Sequence, residues 1–140
     1  MEIFISTFLG FVSAISVEFL FKYINNKENT KNILNGIKKE LQNIEQQVLS
    51  LKGDRYYVTP LNTSYWKSLL HTDSLNNIIS HPLYIDIITI YHYIDNLNHW
   101  ENIHSSSYFS TGKSNLDLNN ALQTQRRELI VELQNTINKF

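Results

Sequence analysis

The chain has 140 residues, a formal net charge of -1 and no cysteine. This length allows one small domain with at most one appended element. The near-neutral charge provides no basic field, so we expect no nucleic-acid partner. Without cysteine, disulfides, thiolate zinc sites and cysteine nucleophiles are excluded. Four glycines and two prolines are few, which favours helices with short connections.

The first predicted element is a largely apolar helix near the amino terminus. The run from Ile3 to Ile24 can cross a hydrocarbon core of about 30 Å at about 1.5 Å per residue. No lysine or arginine precedes it, which argues against a cleaved signal peptide. Its serines and Glu18 leave a buried core helix as an alternative. We predict a transmembrane helix over residues 1–24, with the lipid bilayer as its partner, and a helical domain over residues 25–140.

The charges that flank this helix predict its orientation. Only the terminal amine precedes the apolar run, whereas five lysines lie at its end or follow it. These are Lys22, Lys27, Lys31, Lys38 and Lys39. Because positively charged flanks stay on the cytoplasmic side, we expect the amino terminus outside and the helical domain in the cytosol.

Small residues and one carboxylate recur at every fourth position of the predicted span. Ser6, Gly10, Ala14 and Glu18 therefore fall on one stripe of the helix. Small residues at this spacing let helices approach closely in lipid, so the stripe predicts self-association and, more narrowly, a pore-facing surface. The alternative is that Glu18 pairs with Lys22, four residues later, near the membrane surface.

A coiled-coil-like seam follows a short polar stretch. Apolar residues alternate at spacings of three and four along this seam, which consists of Leu34, Ile37, Leu41, Ile44, Val48 and Leu51. The seam is expected to pack on other helices of the same chain, with a long intermolecular coil as the alternative. Gly53 is expected to end the helix, and residues 54–61 are expected to be extended, since Pro60 disfavours helix before it.

Two short helices and two long ones are predicted in the remainder. Thr63 or Ser64 can cap the first short helix, and Thr72 or Asp73 the second. Their expected core residues are Trp66, Leu69, Leu70, Leu75, Ile78 and Ile79. A long helix should begin at residues 80–82, although its β-branched start leaves a strand as the alternative. Its expected core positions are Leu83, Ile87, Ile90, Ile94 and Leu97, with Tyr84, Ile88 and Tyr91 beside them. A polar loop over residues 105–115 and a last helix over residues 116–140 complete a small antiparallel bundle. The apolar positions of the last helix are Leu118, Leu122, Leu129, Leu133, Ile137 and Phe140.

Candidate catalytic and metal-binding residues are few. His92, Asp95 and His99 share one face of the predicted helix, but its two histidines lie about 10 Å apart along the axis. A polar, partly solvated face is therefore the favoured interpretation, with a metal site as the alternative. The TGKS sequence at residues 111–114 lacks the first glycine of a phosphate-binding loop. We expect no enzyme activity, metal or cofactor.

The run from Asn62 to Asn98 resembles a pattern in small bacterial membrane-anchored proteins. They combine an amino-terminal span, a coiled-coil-like helix, a short helix containing tryptophan and a helix bearing tyrosine. The matching residues are Thr63, Trp66, Leu69, Leu75, Ile78, Leu83, Tyr91 and Asn98. Some similar proteins accompany antiphage systems as membrane-disrupting effectors. The resemblance implies a location in the bacterial inner membrane.

Two functions are consistent with these features. The first is a non-enzymatic, single-span membrane protein that forms homo-oligomers and acts as a membrane effector or channel-like subunit, in a setting such as antiphage defence. The second is a membrane-anchored scaffold or regulator whose cytosolic bundle recruits a protein partner. The fold expected for both is all-α, with one transmembrane helix followed by a small helical bundle.

Overall fold

The computed structural model describes the backbone of residues 2–50, 60–112 and 116–140, with side chains from Val12 onward. Among these residues there are four α-helices: α1 (Glu2–Ser50), α2 (Ser64–Leu70), α3 (Tyr84–Thr111) and α4 (Leu116–Ile137). A 3-10 helix (Asp73–Asn77) lies between α2 and α3. The described residues include no strand. The all-α prediction is therefore confirmed, and the strand alternative for the start of α3 is wrong.

Helix α1 is continuous through the predicted boundary at residues 24 and 25. Its 49 residues correspond to a rod of about 73 Å. The segment contains no proline, the residue that most strongly interrupts a helix. The predicted span and the seam therefore belong to one helix rather than to two helices joined by a linker.

The described part of α1 is less apolar than a transmembrane helix. Within the part of the chain that the structure describes, no helix is long and apolar enough to cross a membrane. The side chains of the first 11 residues of the predicted span lie outside that part. The transmembrane helix therefore stays a prediction.

The second half of α1 belongs to the bundle. It packs on α4, on α2 and on the 3-10 helix, while α3 packs on α4. The core-facing residues of α1 are Ile33, Ile37, Leu41, Ile44 and Val48. Leu34, the first residue of the predicted seam, is only half-buried because Ile33 takes the core position in its turn. Leu51, the last seam residue, lies outside the described residues, as do Gly53 and residues 54–59.

The short helices form close to the predicted positions. Thr63 precedes α2, and the Thr72 hydroxyl accepts a hydrogen bond from the Ser74 N–H at 3.4 Å. Trp66, Leu69 and Ile78 are buried. Leu70 and Ile79, expected in the core, are 51% and 50% exposed. A seven-residue helix covers the core with one face, so the residue after Leu69 turns to solvent.

Helix α3 begins two residues later and ends later than predicted. It starts at Tyr84 and continues to Thr111, so the loop expected from residue 105 is helical through that residue. The hydroxyls of Ser110 and Thr111 donate back to the Ser107 carbonyl, which lets polar residues remain helical. Gly112, with a φ of 63°, then ends the helix in the left-handed conformation that glycine adopts without strain.

Helices α3 and α4 supply the rest of the core. The buried apolar residues of α3 are Ile87, Ile90, Tyr91, Ile94 and Leu97, and those of α4 are Leu122, Leu129, Leu133 and Ile137. All but Tyr91 belong to the predicted inward stripes, and Tyr91 was placed beside one. Leu118 and Phe140 pack half-buried against the same core. The bundle thus consists of α1, α3 and α4, with α2 and the 3-10 helix packed on α1.

Candidate functional site

From Val12 to residue 29, α1 projects from the bundle with its side chains exposed. Every residue from Val12 to residue 29 is exposed. The large apolar ones are Val12, Ile15, Val17, Phe19, Leu20, Phe21, Tyr23 and Ile24. Phe19, Leu20 and Phe21 are between 60% and 70% exposed. Consecutive residues of a helix point about 100° apart, so the apolar surface covers most of the helix circumference rather than one stripe. Glu18 and Lys22, both exposed, share the remaining side.

The predicted packing stripe is partly visible on this projecting segment. Ala14 and Glu18 are exposed, whereas the side chains of Ser6 and Gly10 lie outside the described residues. The Ser16 hydroxyl donates to the Val12 carbonyl at 2.8 Å. This bond satisfies a polar group within the helix itself, as an apolar environment requires.

The helix joins the bundle at Thr30. The Thr30 hydroxyl lies 2.9 Å from the Asn26 carbonyl and 3.0 Å from the Asn77 carbonyl, so it links α1 to the end of the 3-10 helix. From Ile33 onward one face of α1 is buried. The transition from exposed rod to packed helix therefore takes about one turn.

Glu40 forms a buried polar centre inside the bundle. Its carboxylate accepts hydrogen bonds from the backbone N–H of Tyr65 at 2.7 Å and of Trp66 at 3.0 Å. The Tyr91 hydroxyl donates to the same carboxylate at 2.5 Å. Glu40, a residue of α1, thus caps the amino terminus of α2, where unpaired N–H groups favour an anion. Thr63, the residue expected to cap α2, makes no side-chain cap bond.

Aromatic rings close the space around Glu40. The rings of Trp66 and Tyr91 stack at 4.6 Å with planes 4° apart. Burial and the neighbouring carboxylate of Glu40 raise the pKa of the Tyr91 hydroxyl and that of Tyr65. Both therefore remain hydrogen-bond donors at neutral pH. Gly36 permits the Tyr65 ring to lie against α1, because a Cβ at that position would overlap the ring.

Asn98 holds the chain just before α2. Its side-chain oxygen accepts from the Leu61 N–H at 2.7 Å, and its side-chain nitrogen donates to the Leu61 carbonyl at 3.1 Å. Both backbone groups of Leu61 are thereby satisfied by one amide, as in a strand pair. Asn98 is one of the residues that carry the resemblance to membrane-anchored proteins. Its structural role is to bind the backbone of Leu61, which its position in the sequence did not reveal.

A second buried polar pair joins α3 to α4. Arg126 Nε donates to Glu101 Oε1 at 2.7 Å, and both side chains are at most 10% exposed. Glu101 Oε2 is buried without a hydrogen-bond partner. Burial raises the pKa of the Glu101 carboxyl above its ordinary value of 4.5, although the bond and charge of Arg126 lower it in part.

The raised pKa of Glu101 predicts a pH-dependent stability. The folded chain binds the proton of the Glu101 carboxyl more tightly than the unfolded chain does. The stability that this proton contributes is therefore complete below pH 4.5 and is lost as the pH rises through the pKa of the folded state. The wild type is therefore expected to lose more stability than Glu101→Gln as the pH rises above 4.5. Chemical denaturation of the full chain at several pH values measures the difference. Asp95→Asn changes an exposed carboxylate and is the control, and a parallel pH dependence in wild type and Glu101→Gln would contradict the prediction.

The histidine face of α3 lies in solvent. His92, Asp95 and His99 are all exposed, and the His99 ring contacts Trp100 edge-on at 5.9 Å. No group of three histidine, aspartate or glutamate side chains placed to hold a metal ion occurs among the residues described. The structure therefore does not bring the predicted metal candidates together.

The polar residues that organise the bundle were not singled out from sequence. Glu40 lies three residues after Ile37 and four before Ile44, and Arg126 lies four after Leu122 and three before Leu129. A charged residue at a core position of an apolar repeat indicates a buried polar contact, and both Glu40 and Arg126 occupy such positions.

Comparison with models of known protein families, with curated proteins and with solved structures finds no match for this chain.

Proposed function

We propose that this chain is a non-enzymatic membrane protein anchored by the first half of α1. The observation that carries the proposal is the exposed segment around Phe19, Leu20 and Phe21, which is apolar on most of its circumference and lies beyond the bundle. Its remaining side carries Glu18 and Lys22, four residues apart and close to the end of the predicted span. A helix with so broad an apolar surface is covered either by protein or by lipid. Its length of about 22 residues, from Ile3 to Ile24, matches a bilayer core.

The proposed anchor continues rigidly into the cytosolic bundle. Because α1 has no break between Glu2 and Ser50, a rotation or tilt of the segment in lipid is transmitted to the helix that packs on α2 and α4. The lysines after residue 21 support a cytosolic location for this bundle. A location in the bacterial inner membrane and a role in antiphage defence rest on the sequence resemblance alone.

Self-association is assigned to the span rather than to the seam. The bundle's own helices cover the apolar residues of the seam from Ile37 to Val48, so that face offers no second contact. Two surfaces were predicted for contacts between copies, the seam and the stripe of small residues. The stripe remains, and it consists of Ser6, Gly10, Ala14 and Glu18. In this proposal copies meet in the membrane, and the assembly acts as a membrane effector or channel-like subunit.

The mass of the detergent-solubilised particle tests self-association. We expect a multiple of the 16.4 kDa chain mass, and Gly10→Leu should shift the particle to the monomer because a large side chain separates the helices. Val12→Leu adds bulk on another face and is the matched control. Ion leakage from vesicles should fall with Gly10→Leu as well. A monomeric wild type would rule out the self-associating function.

The division of α1 into an exposed apolar segment and a segment packed into the bundle also fits a second candidate, an anchored scaffold or regulator. In this case residues 1–24 are only a tether, and the bundle recruits a protein partner. Replacing these residues with an unrelated single span separates the two candidates. Toxicity on expression is expected to persist after the exchange for a scaffold and to disappear for a self-associating effector.

A further inference from the structure

A groove lies where α1 leaves the bundle. It has a volume of about 1260 Å³. One wall is α1 between Tyr23 and Asn35, and the other is formed by the turn before α3, at His81 and Leu83, with Lys139 and Phe140. The groove therefore lies at the end of the bundle from which the apolar half of α1 projects.

The α1 wall of the groove carries two ammonium groups on one face. Lys27 and Lys31 both line the groove and are one turn apart, a spacing at which like charges destabilise a helix. Neither makes an ion pair within the described part of the chain. Lys139 is already paired with Asp86 at 2.8 Å, and Glu28 is the one acidic side chain among the lining residues. An anion placed between Lys27 and Lys31 would remove their repulsion.

Apolar and aromatic groups accompany these ammonium groups. Tyr23 and Ile24, at the membrane-facing end of the groove, are 67% and 48% exposed. Leu34, Leu83 and Phe140 line the opposite, half-buried part. Tyrosine is enriched where a span meets water because its ring is apolar and its hydroxyl is polar. An inorganic anion would contact the lysines alone. A phospholipid would contact the lysines through its phosphate and the apolar residues through its acyl chains.

We propose that this groove binds one anionic phospholipid of the cytosolic leaflet. Its phosphate lies between the Nζ atoms of Lys27 and Lys31, and an acyl chain follows Tyr23 and Ile24 into the bilayer. The inference rests on the proposed membrane anchoring, which places residue 24 at the lipid surface. The bound lipid would fix the height and orientation of the bundle against the membrane, since its two walls belong to α1 and to the rest of the bundle.

Native mass spectrometry of the full-length protein tests the site. The protein is purified in mild detergent and incubated with equal amounts of phosphatidylglycerol and phosphatidylcholine. We expect the wild type to retain one phosphatidylglycerol in preference to phosphatidylcholine. The double variant Lys27→Gln/Lys31→Gln should lose at least about tenfold of this retention, because it removes both charges that face the phosphate. Lys38→Gln/Lys39→Gln removes the same charge from the same helix outside the groove and should retain the lipid.

Three outcomes would overturn the assignment. Equal retention in the two double variants would place the lipid elsewhere. Equal retention of the two lipids by the wild type would mean that the site does not select a lipid by its negative charge. Displacement of the lipid by millimolar inorganic phosphate or glycerol phosphate would indicate a site for soluble phosphates. Alkaline carbonate extraction, performed in parallel, tests the anchoring separately: a wild type that resists extraction but shows no lipid preference contradicts the groove alone.

Discussion

Replacing Glu40 with alanine is expected to lower the free energy of unfolding by about 3 to 5 kcal/mol. The change leaves the N–H groups of Tyr65 and Trp66 and the hydroxyl of Tyr91 without their acceptor. The bonds of the Trp66 N–H and the Tyr91 hydroxyl are buried, whereas that of the Tyr65 N–H is partly buried. Each unsatisfied buried donor costs about 1 to 3 kcal/mol, so the loss is large for a small domain.

Denaturation of the full-length chain in mild detergent measures this effect through Trp66 fluorescence and helical circular dichroism. Glu45→Ala is the matched control on the same helix, since Glu45 accepts a bond from Gln134 at the surface. That variant should lose no more than about 1 kcal/mol. Glu40→Gln keeps one acceptor oxygen and should fall between the two. If Glu40→Ala and Glu45→Ala have the same stability, Glu40 does not organise α2.

Replacing Val12 with arginine is expected to release the chain from the membrane. Val12 lies at the middle of the predicted span, where an arginine costs about 3 kcal/mol on insertion scales. This cost corresponds to a factor of about 100 in the insertion equilibrium. After alkaline carbonate treatment of vesicles, the wild type should remain in the pellet, and a large share of Val12→Arg should move to the supernatant.

Val131→Arg makes the same substitution on the bundle. Val131 is 55% exposed on α4 and Val12 is 44% exposed on α1, so the two positions start from similar exposure. The control should pellet like the wild type. Equal extraction of both variants, or a wild type found in the supernatant, would mean that protein rather than lipid covers the first half of α1.

Apolar periodicity was sufficient to predict where most helices of the bundle form. Spacings of three and four predicted the core positions of α1, α3 and α4 because the same side chains that repeat on one face of a helix must be covered by its neighbours. Ile33 is one exception, since the adjacent Leu34 satisfies the same repeat and only packing distinguishes the two. Tyr91 is another, because it was expected beside the core-facing stripe and is buried. The polar end of α3 was predicted as a loop because serine and threonine favour turns, yet their hydroxyls bond within the helix instead.

The polar centres depended on contacts distant in sequence. Glu40 meets Tyr91 across 51 positions, and Asn98 meets Leu61 across 37. A periodic pattern identifies the face on which a residue lies, but it carries no information about which partner satisfies a buried carboxylate. The cap of α2 illustrates this limit: the local candidate, Thr63, makes no cap bond, and a glutamate from another helix takes that role.

The amino-acid sequence by itself determined the all-α architecture and most of the inward-facing positions, because each follows from local apolar spacing. Only the tertiary structure decided that the seam is covered by its own chain, that Glu40 and Arg126 carry buried polar contacts, and that the segment before Thr30 stands outside the bundle. These features depend on which faces meet across the fold, and the free energy of such contacts is not encoded in any single stretch of the sequence.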